Sequence, residues 1–528
     1  MGKRNWRITL LALILVIASI AAGCSQSNNG NGNTPDSGSE PAATTGAAEG
    51  NAAMKVSVAS MPKYPPNEIP NTYTKEVEKR FNMKWDFESI PLSAGIEKYN
   101  VMFASGDYPD FIPNMNSPTS VAKWASSGYL LPIGDYIDKL PNYRKLFSDE
   151  DWELLLSFGS SNGKLYMLPS TASNDPMSWI YRKDAFDKAG ITAFPSTMDE
   201  LYETAKKLKT AYPDAVPIGV RGGTDNNGVK NMMNGFRQAF RNPQNSSTRG
   251  FWNDPDEGGK VVWNLASPKH REMLAFIAKL YKEGLIEKEF ATLTQDQWKA
   301  KRLTGKILMD FQYASHTVDP GYALTDIPGG EWAYARSLPS ASDQPALEFK
   351  PLNFSLFGPV FSSKLADEPE KLDRLIEYVE WGASPEGQLF HQAGLENETY
   401  VNEGGTLKYK DGLDRQKVAE QYGFDWWLNQ SSEFLKSDAG YLKKQEAMTE
   451  FASNFNVIPK NAPLTEEEQE TVNTTVSALE DVALQFATKA VMGMVDIGND
   501  EAWNGYLSDL EKVGLSDAQA IFEKYLAE

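Results

Sequence analysis

His270, His316 and His391 are the only imidazoles of this 528-residue chain, and Cys24 is its only cysteine. They lie far apart, so the clustered Cys and His spacing of a transition-metal site is missing and no metal is expected. No G-x-S-x-G elbow and no Walker-type phosphate loop occurs. Asp254-Pro-Asp256-Glu-Gly258-Gly259 begins like a calcium loop. Its fifth position is Gly258, however, and its twelfth is Leu265, where a bidentate Glu is required. With 71 acidic residues, carboxylate pairs arise everywhere and nominate no glycosidase by themselves. What remains is aromatic and amide chemistry. Trp179, Trp252, Trp332, Trp426 and Trp427 sit beside Asn, Asp, Gly or Arg rather than in periodic runs. A sugar offers an apolar ring face and a rim of hydroxyls. An aromatic plate covers the face, and Asp, Asn, Gln or Arg bond the rim.

Cys24 sits where an exported chain would be cut and lipidated. Lys3, Arg4 and Arg7 precede a mostly apolar run from Ile8 to Ala22, then Gly23-Cys24. That is signal-peptide order, and the run falls short of the about 20 apolar residues a membrane span needs. Ala21-Ala22-Gly23-Cys24 resembles a lipobox, with Ala21 where Leu is commonest. Ser25 to Ala53 holds no large apolar residue and reads as a disordered tether, reaching roughly 30 Å as a flexible coil. A diacylated Cys24 supplies the two chains that stable anchoring takes. The expected location is the extracellular face of the cell membrane.

Composition bounds the partners. The net charge is −19, and removing residues 1–23 takes away three basic side chains and no acidic one, leaving −22. That excludes nucleic-acid binding, which needs a basic face. The about 475 residues after the tether build large cores without disulfides and imply at least two domains.

The elements that must position the aromatics are legible in part. Met54 to Val58 alternates as a strand, a helix starts near Thr72, and a second strand covers Met83 to Phe87. Helix, strand and loop alternate to about Pro169, which suggests α/β layers. Thr197-Met-Asp-Glu200 and Thr465-Glu-Glu-Glu468 read as capping boxes, and Pro369 opens a helix that stops near Gly382. Ser516 is expected to cap the last helix. The final hundred residues read as largely helical.

Five stretches, in order, resemble the extracellular solute-binding proteins of carbohydrate ABC importers, in their longer Gram-positive lipoprotein branch. They are Phe103-Ala-Ser-Gly-Asp-Tyr-Pro-Asp-Phe-Ile112; Trp124 to Ile133; Asn162-Gly-Lys-Leu-Tyr-Met-Leu-Pro169 with Trp179-Ile-Tyr-Arg-Lys-Asp-Ala-Phe186; Leu280 to Ile286 with Gly305-Lys-Ile-Leu-Met309; and Gly358 to Lys364 with Ser384-Pro-Glu-Gly-Gln388. Arg182 replaces the usual Asn of its motif. Some members carry a calcium loop where this chain has Tyr212-Pro-Asp-Ala-Val-Pro217.

The resemblance implies an α/β, type II periplasmic-binding-protein-like fold. Two lobes are joined by hinge crossovers near Trp179–Tyr181 and Asn353–Phe357, with a largely helical C-terminal region. The expected division is 1–23 signal peptide, 24–53 tether, 54–178 plus 357–395 N-terminal lobe, and 179–356 plus 396–528 C-terminal lobe. Ligand-binding positions implied by the crossings and by loops after the matching strands are Asn114, Asn116, Trp179, Arg221, Asp225, Asp310, Gln312, Tyr313 and Asn353. Trp252 and Trp426 or Trp427 supply further aromatic plates, and Arg182 and Arg221 are of a type to meet a uronate carboxylate. The implied function is noncatalytic: capture of an oligosaccharide and delivery to the permease subunits of an ABC importer, by a monomer without cofactor. A secreted polysaccharide-cleaving lipoprotein, with two cleft carboxylates about 5–10 Å apart, and a peptide-binding or sensor receptor on the same fold stand as alternatives.

Overall fold

Residues 53–526 are described by a computed structural model, apart from 92–94, 162, 173, 224–226, 320, 323, 325–326 and 425–430. Cys24, Asp225, Trp426 and Trp427 therefore lie outside the described residues. The strands of the two main sheets and of the crossing between them are, in chain order, β1 (Met54–Ser60), β2 (Met83–Ser89), β3 (Phe111–Met115), β4 (Ser170–Thr171), β5 (Met177–Arg182), β6 (Val216–Ile218), β7 (Ile307–Tyr313), β8 (Trp332–Tyr334), β9 (Phe354–Ser355) and β10 (Gly358–Phe361). The helices that matter below are α1 (Thr72–Phe81), α2 (Met198–Ala211), α3 (Asn227–Arg237), α4 (Pro268–Lys282), α5 (Gln295–Leu303), α6 (Pro369–Gly382), α7 (Arg415–Tyr422), α8 (Ala439–Glu450), α9 (Glu466–Val491), α10 (Asp500–Lys512) and α11 (Leu515–Leu526).

The first sheet has the order β10-β3-β1-β2. β1 runs parallel to both β2 and β3, and β10 returns antiparallel to β3. Every residue of β3 is buried, as expected of an inner strand covered on both faces. The second sheet has the order β8-β5-β7-β6, with β6 and β7 parallel and β5 antiparallel to β7. Ile307 to Gln312 of β7 are all buried.

Chain passage between the sheets is pinned by a short ribbon. Met167 still bridges to Val360 of the first sheet, and Met177 already pairs with Tyr313 of the second. Between them β4 pairs antiparallel with β9, and the Ala172 N–H donates to the Asn353 carbonyl at 2.9 Å. The first crossing therefore spans 172–176, earlier than the expected Trp179–Tyr181. Trp179 lies inside the second sheet because its indole has a core to fill, against Phe236 and Phe311. The return passage runs beside the first crossing, with the Asn353 carbonyl and β9 forming the other side of the ribbon.

Two large cores follow. One joins β1, α1 and α6 through Val56, Tyr73, Phe111 and Tyr378. The other joins Trp179, Phe236, Met273 and Ile277 to α9–α11. Thr465 caps α9 in a full capping box with Glu468, and Phe522 of α11 stacks on Phe251 at 4.5 Å. Thr197 caps α2 as expected, but Glu200 turns its carboxylate to the Ser196 N–H. Ser516 does not cap α11, which starts at Leu515; its hydroxyl donates to Glu511 instead.

Val418 and Phe424 pack in the core of the first sheet, and the Asn67 N–H donates to the Glu420 carbonyl at 2.7 Å. The expected lobe boundary at 395 thus falls short of α7. α8, by contrast, places Ala447 and Phe451 against Ala314, just beyond β7.

Candidate ligand-binding site

In open α/β sheets ligands collect outside the carboxyl ends of parallel strands, where loops leave the sheet and backbone groups are free. In the second sheet those ends belong to β6 and β7. After Ile218 the chain runs Gly219-Val-Arg221-Gly222-Gly223. The Gly219 N–H donates to the Met309 carbonyl at 2.8 Å, and the Gly223 N–H to the Leu293 carbonyl at 3.0 Å. A methyl on Gly222 would fall 2.3 Å from the carbonyl oxygens of Leu293 and Thr294, so no larger residue fits there. Asn231 of α3 donates to the Arg221 carbonyl at 3.0 Å. Clamped on both sides, Arg221 carries its guanidinium 5.6 Å from the Trp298 ring and 3.5 Å from Gln295 Oε1. An open pocket of about 580 Å³ lies here, lined by Arg221, Gly222, Gly223, Asn231, Thr294, Gln295 and Asp296. That volume is in the range of small-ligand sites.

After Tyr313 the chain turns through Ala314–Thr317. Asp175 of the crossing accepts from Ser315 N at 3.2 Å and Ser315 Oγ at 2.5 Å, joining the ribbon to this turn. Burial raises the Asp175 carboxyl above its ordinary range, against the pull of the Ser315 bonds and of Lys444. His316 stacks on Tyr322 at 3.9 Å and meets Tyr313 edge-on at 5.5 Å. Trp298 adds a ring 5.8 Å from Tyr322. Burial, then the positive charges of Arg302, Arg221 and Lys444, hold the His316 imidazole down at about 3. It is therefore a neutral ring at physiological pH. Tyr313, Tyr322 and Arg221 are half-buried, with part of each side chain open to solvent.

Beneath this wall Arg302 and Asp310 form an ion pair in which both side chains are 0% exposed. Asp310 also accepts from Trp298 Nε1 at 3.2 Å, and Arg302 donates to the Tyr322 and His316 carbonyls at 3.3 and 3.4 Å. The pair ties the aromatic loop to β7.

In the first sheet the carboxyl end of β1 leads to exposed Lys63 and half-buried Tyr64, and that of β3 leads to exposed Asn116. Asn114, one step back, is buried. It accepts from Ser60 Oγ at 3.0 Å and donates to the Met61 carbonyl at 2.9 Å, so it fastens β3 to the end of β1.

Several expected ligand donors are thereby corrected, because their side chains are engaged or covered. Asn114 and Asp310 are internal anchors. Arg182 binds Asp184 and the Gly305 carbonyl, five residues along β5 from Met177 and so roughly 17 Å from the Tyr313 end of the sheet. Trp179 is 1% exposed, and Trp252 is covered, with Phe349 edge-on at 6.0 Å. Asp254, the first oxygen of the supposed calcium loop, accepts Lys269 at 2.8 Å. Gln312 is buried with its side-chain oxygen unpaired among the described residues. Asn353 is exposed and donates to Asp151 at 2.9 Å. Arg221, Tyr313 and Asn116 stand at strand ends, as expected. The sequence reading did not nominate Asn231 and Gln295, which line this pocket, nor the Trp298, His316, Tyr322 and Lys444 packed around it. The Thr294–Gln297 capping box was a readable signal that Gln295 opens a helix.

A family model for bacterial extracellular solute-binding proteins matches residues 64–389. The chain belongs to the bacterial extracellular solute-binding proteins. This solute-binding protein is 24% identical over 519 residues to the fructooligosaccharide ABC transporter substrate-binding protein FusA of Streptococcus pneumoniae, covering 89% of each chain. It is 26% identical over 308 residues to the polygalacturonan/rhamnogalacturonan-binding protein YtcQ of Bacillus subtilis, covering 58% of this chain and 56% of that one. Its structure resembles an HMO-binding, ABC-transporter-associated solute-binding protein of Bifidobacterium longum infantis with a TM-score of 0.73, 19% identity, and coverage of 90% and 99% of the two chains. The shared fold is the two-lobe binding-protein architecture.

Proposed function

We propose that this solute-binding protein is a lipid-anchored receptor that captures an oligosaccharide outside the cell and hands it intact to the permease of an ABC importer. One observation carries the reading. Rim donors and acceptors (Arg221, Gln295, Asn231) line an open pocket of about 580 Å³ beyond the carboxyl end of β6, and Trp298, under Arg221, connects it to the rings of Tyr322, His316 and Tyr313. Aromatic faces cover sugar rings, and amide and guanidinium groups bond hydroxyls. FusA and YtcQ, both named for carbohydrate ligands, support the same class.

In this reading the first lobe comprises 54–169 and 356–424, the second 177–350 and 439–526, and the ribbon β4–β9 is the hinge. Asn116 joins the ligand surface, with Asp225 and Trp426 or Trp427 among the residues not described. Ligand touching both lobes favours the closed state, which the permease reads. Cys24 carries the lipid, and residues 25–53 hold the receptor off the membrane. The monomer binds without cleaving.

Isothermal titration of the mature chain against a broad panel of oligosaccharides tests this. Saturable 1:1 binding is expected, with no new reducing ends after long incubation. Silence across the panel, or accumulation of reducing ends, contradicts it.

A further inference from the structure

The protein is strongly acidic, yet cations gather around the aromatic wall. Arg221 lies over Trp298 at 5.6 Å, and Lys299 lies over Tyr322 at 5.1 Å. Lys444 of α8 is near enough to act on the charges of both Asp175 and His316. Among the described residues none of these three cations forms an ion pair at contact distance. The nearby acids are engaged elsewhere. Asp310 is closed by Arg302 and Trp298, Asp175 bonds Ser315, and Asp319 accepts the Gly321 N–H at 2.7 Å. Asp296 sits exposed on the pocket rim.

In a chain of net charge −19, a surface Lys or Arg readily finds an acid, as most of the ion pairs here show. Arg221, half-buried and held by Trp298 and Gln295 with no counter-charge among the described residues, forgoes that stabilisation. Its backbone is also fixed by the Gly222 contact and the Asn231 bond, so the guanidinium is presented in advance. A planar guanidinium matches a carboxylate through two parallel hydrogen bonds, a geometry a hydroxyl cannot satisfy as strongly. Carboxylate at the rim and ring face against Tyr313 together describe one ligand class.

We infer that the oligosaccharide bound at this wall is acidic, made of uronic-acid units whose carboxylates are received by Arg221 with Lys444 in support. The inference rests on the proposed oligosaccharide-binding reading and narrows it. The neutral His316 ring keeps the wall apolar without adding a fourth charge.

The test is titration of the mature chain with galacturonate oligomers and with the same oligomers fully methyl-esterified, alongside neutral oligosaccharides. The acidic form should bind about 10-fold or more tighter than its ester. Arg221→Gln should cost about 10- to 100-fold for the acid and a several-fold smaller factor for the ester, which loses only a hydroxyl donor, and Lys444→Gln should weaken the acid less. Unchanged circular dichroism and melting temperature show that the variants fold, and added salt should weaken only the acid. Equal binding of acid and ester, or a preference that survives both substitutions, overturns the inference. So does binding confined to neutral oligosaccharides, which leaves the broader function standing. No binding by any oligosaccharide overturns both.

Discussion

Tyr313 and Arg221 stand at the ends of neighbouring parallel strands, and each has a different role to test. Tyr313→Ala removes a ring face but no hydrogen bond, so affinity for the bound sugar should fall about 10-fold, or roughly 1.4 kcal/mol, with the melting temperature little changed. Titration calorimetry beside a thermal melt checks this. Asp310→Asn is the contrasting case. It leaves Arg302 buried without its counter-charge, so unfolding should become easier by about 3–5 kcal/mol, measured by denaturant titration. The sequence did not separate these two residues. Both follow the same strand pattern, and a carboxylate that pairs inside reads the same as one that greets ligand. Asn114 was misread for that reason, since its partner Ser60 is distant in sequence, whereas the Asp184 that pairs with Arg182 lies only two residues on and was a readable signal. Lys444 was invisible because α8 reaches the wall only through the packing of Ala447 and Phe451 on Ala314.

At the level of elements, local rules served well where one segment decides its own fate. Thr465 forms the capping box that its four residues specify; Asn71 and Thr294 form others that the same rule could have found. Local rules failed where neighbours compete: Ser516 lost its cap to a helix that starts at Leu515. The crossing was misplaced because Trp179 has the composition of a cleft residue and the surroundings of a core one. The loop 219–223 is the element on which the site depends. Gly222→Ala forces a methyl into the Leu293 and Thr294 carbonyls, so the loop must shift and carry Arg221 with it. Ligand affinity should drop by more than 10-fold for a stability loss of about 1–3 kcal/mol. Parallel calorimetry and denaturant curves measure the two effects. Retained affinity would show that the loop need not be held so closely.

For the whole molecule, titration of buried groups sets the response to acid. Burial holds His270, His316 and His391 each near 3, below their ordinary 6.5. The unfolded chain therefore takes up protons first as pH falls. The stability these neutral rings confer is complete above about pH 6.5 and is withdrawn progressively toward pH 3. Glu468, held down at about 2 chiefly by Lys524 and Tyr525, acts in the same direction over a lower range. The melting temperature should decline steadily from pH 7 to pH 4. His270→Phe, which keeps a ring beside Trp503, should flatten that decline by about 1.4 kcal/mol per unit of depression removed. The two-lobe architecture was readable because five ordered motifs and a switch from alternating to helical C-terminal segments both specify it. The extent of the first lobe was not, since Val418 and Phe424 enter its core from far along the chain. Cys24→Ser should move the exported protein from the detergent phase to the aqueous phase on partitioning, with no change in ligand affinity.

Native mass spectrometry of the mature chain mixed with an oligosaccharide it binds puts the central claim to its most direct trial. The account predicts one adduct per chain, with the mass of the uncut sugar, persisting through long incubation and weakened by Tyr313→Ala. Bare protein across every sugar offered, or adducts and free products of lower mass than the sugar supplied, would contradict it.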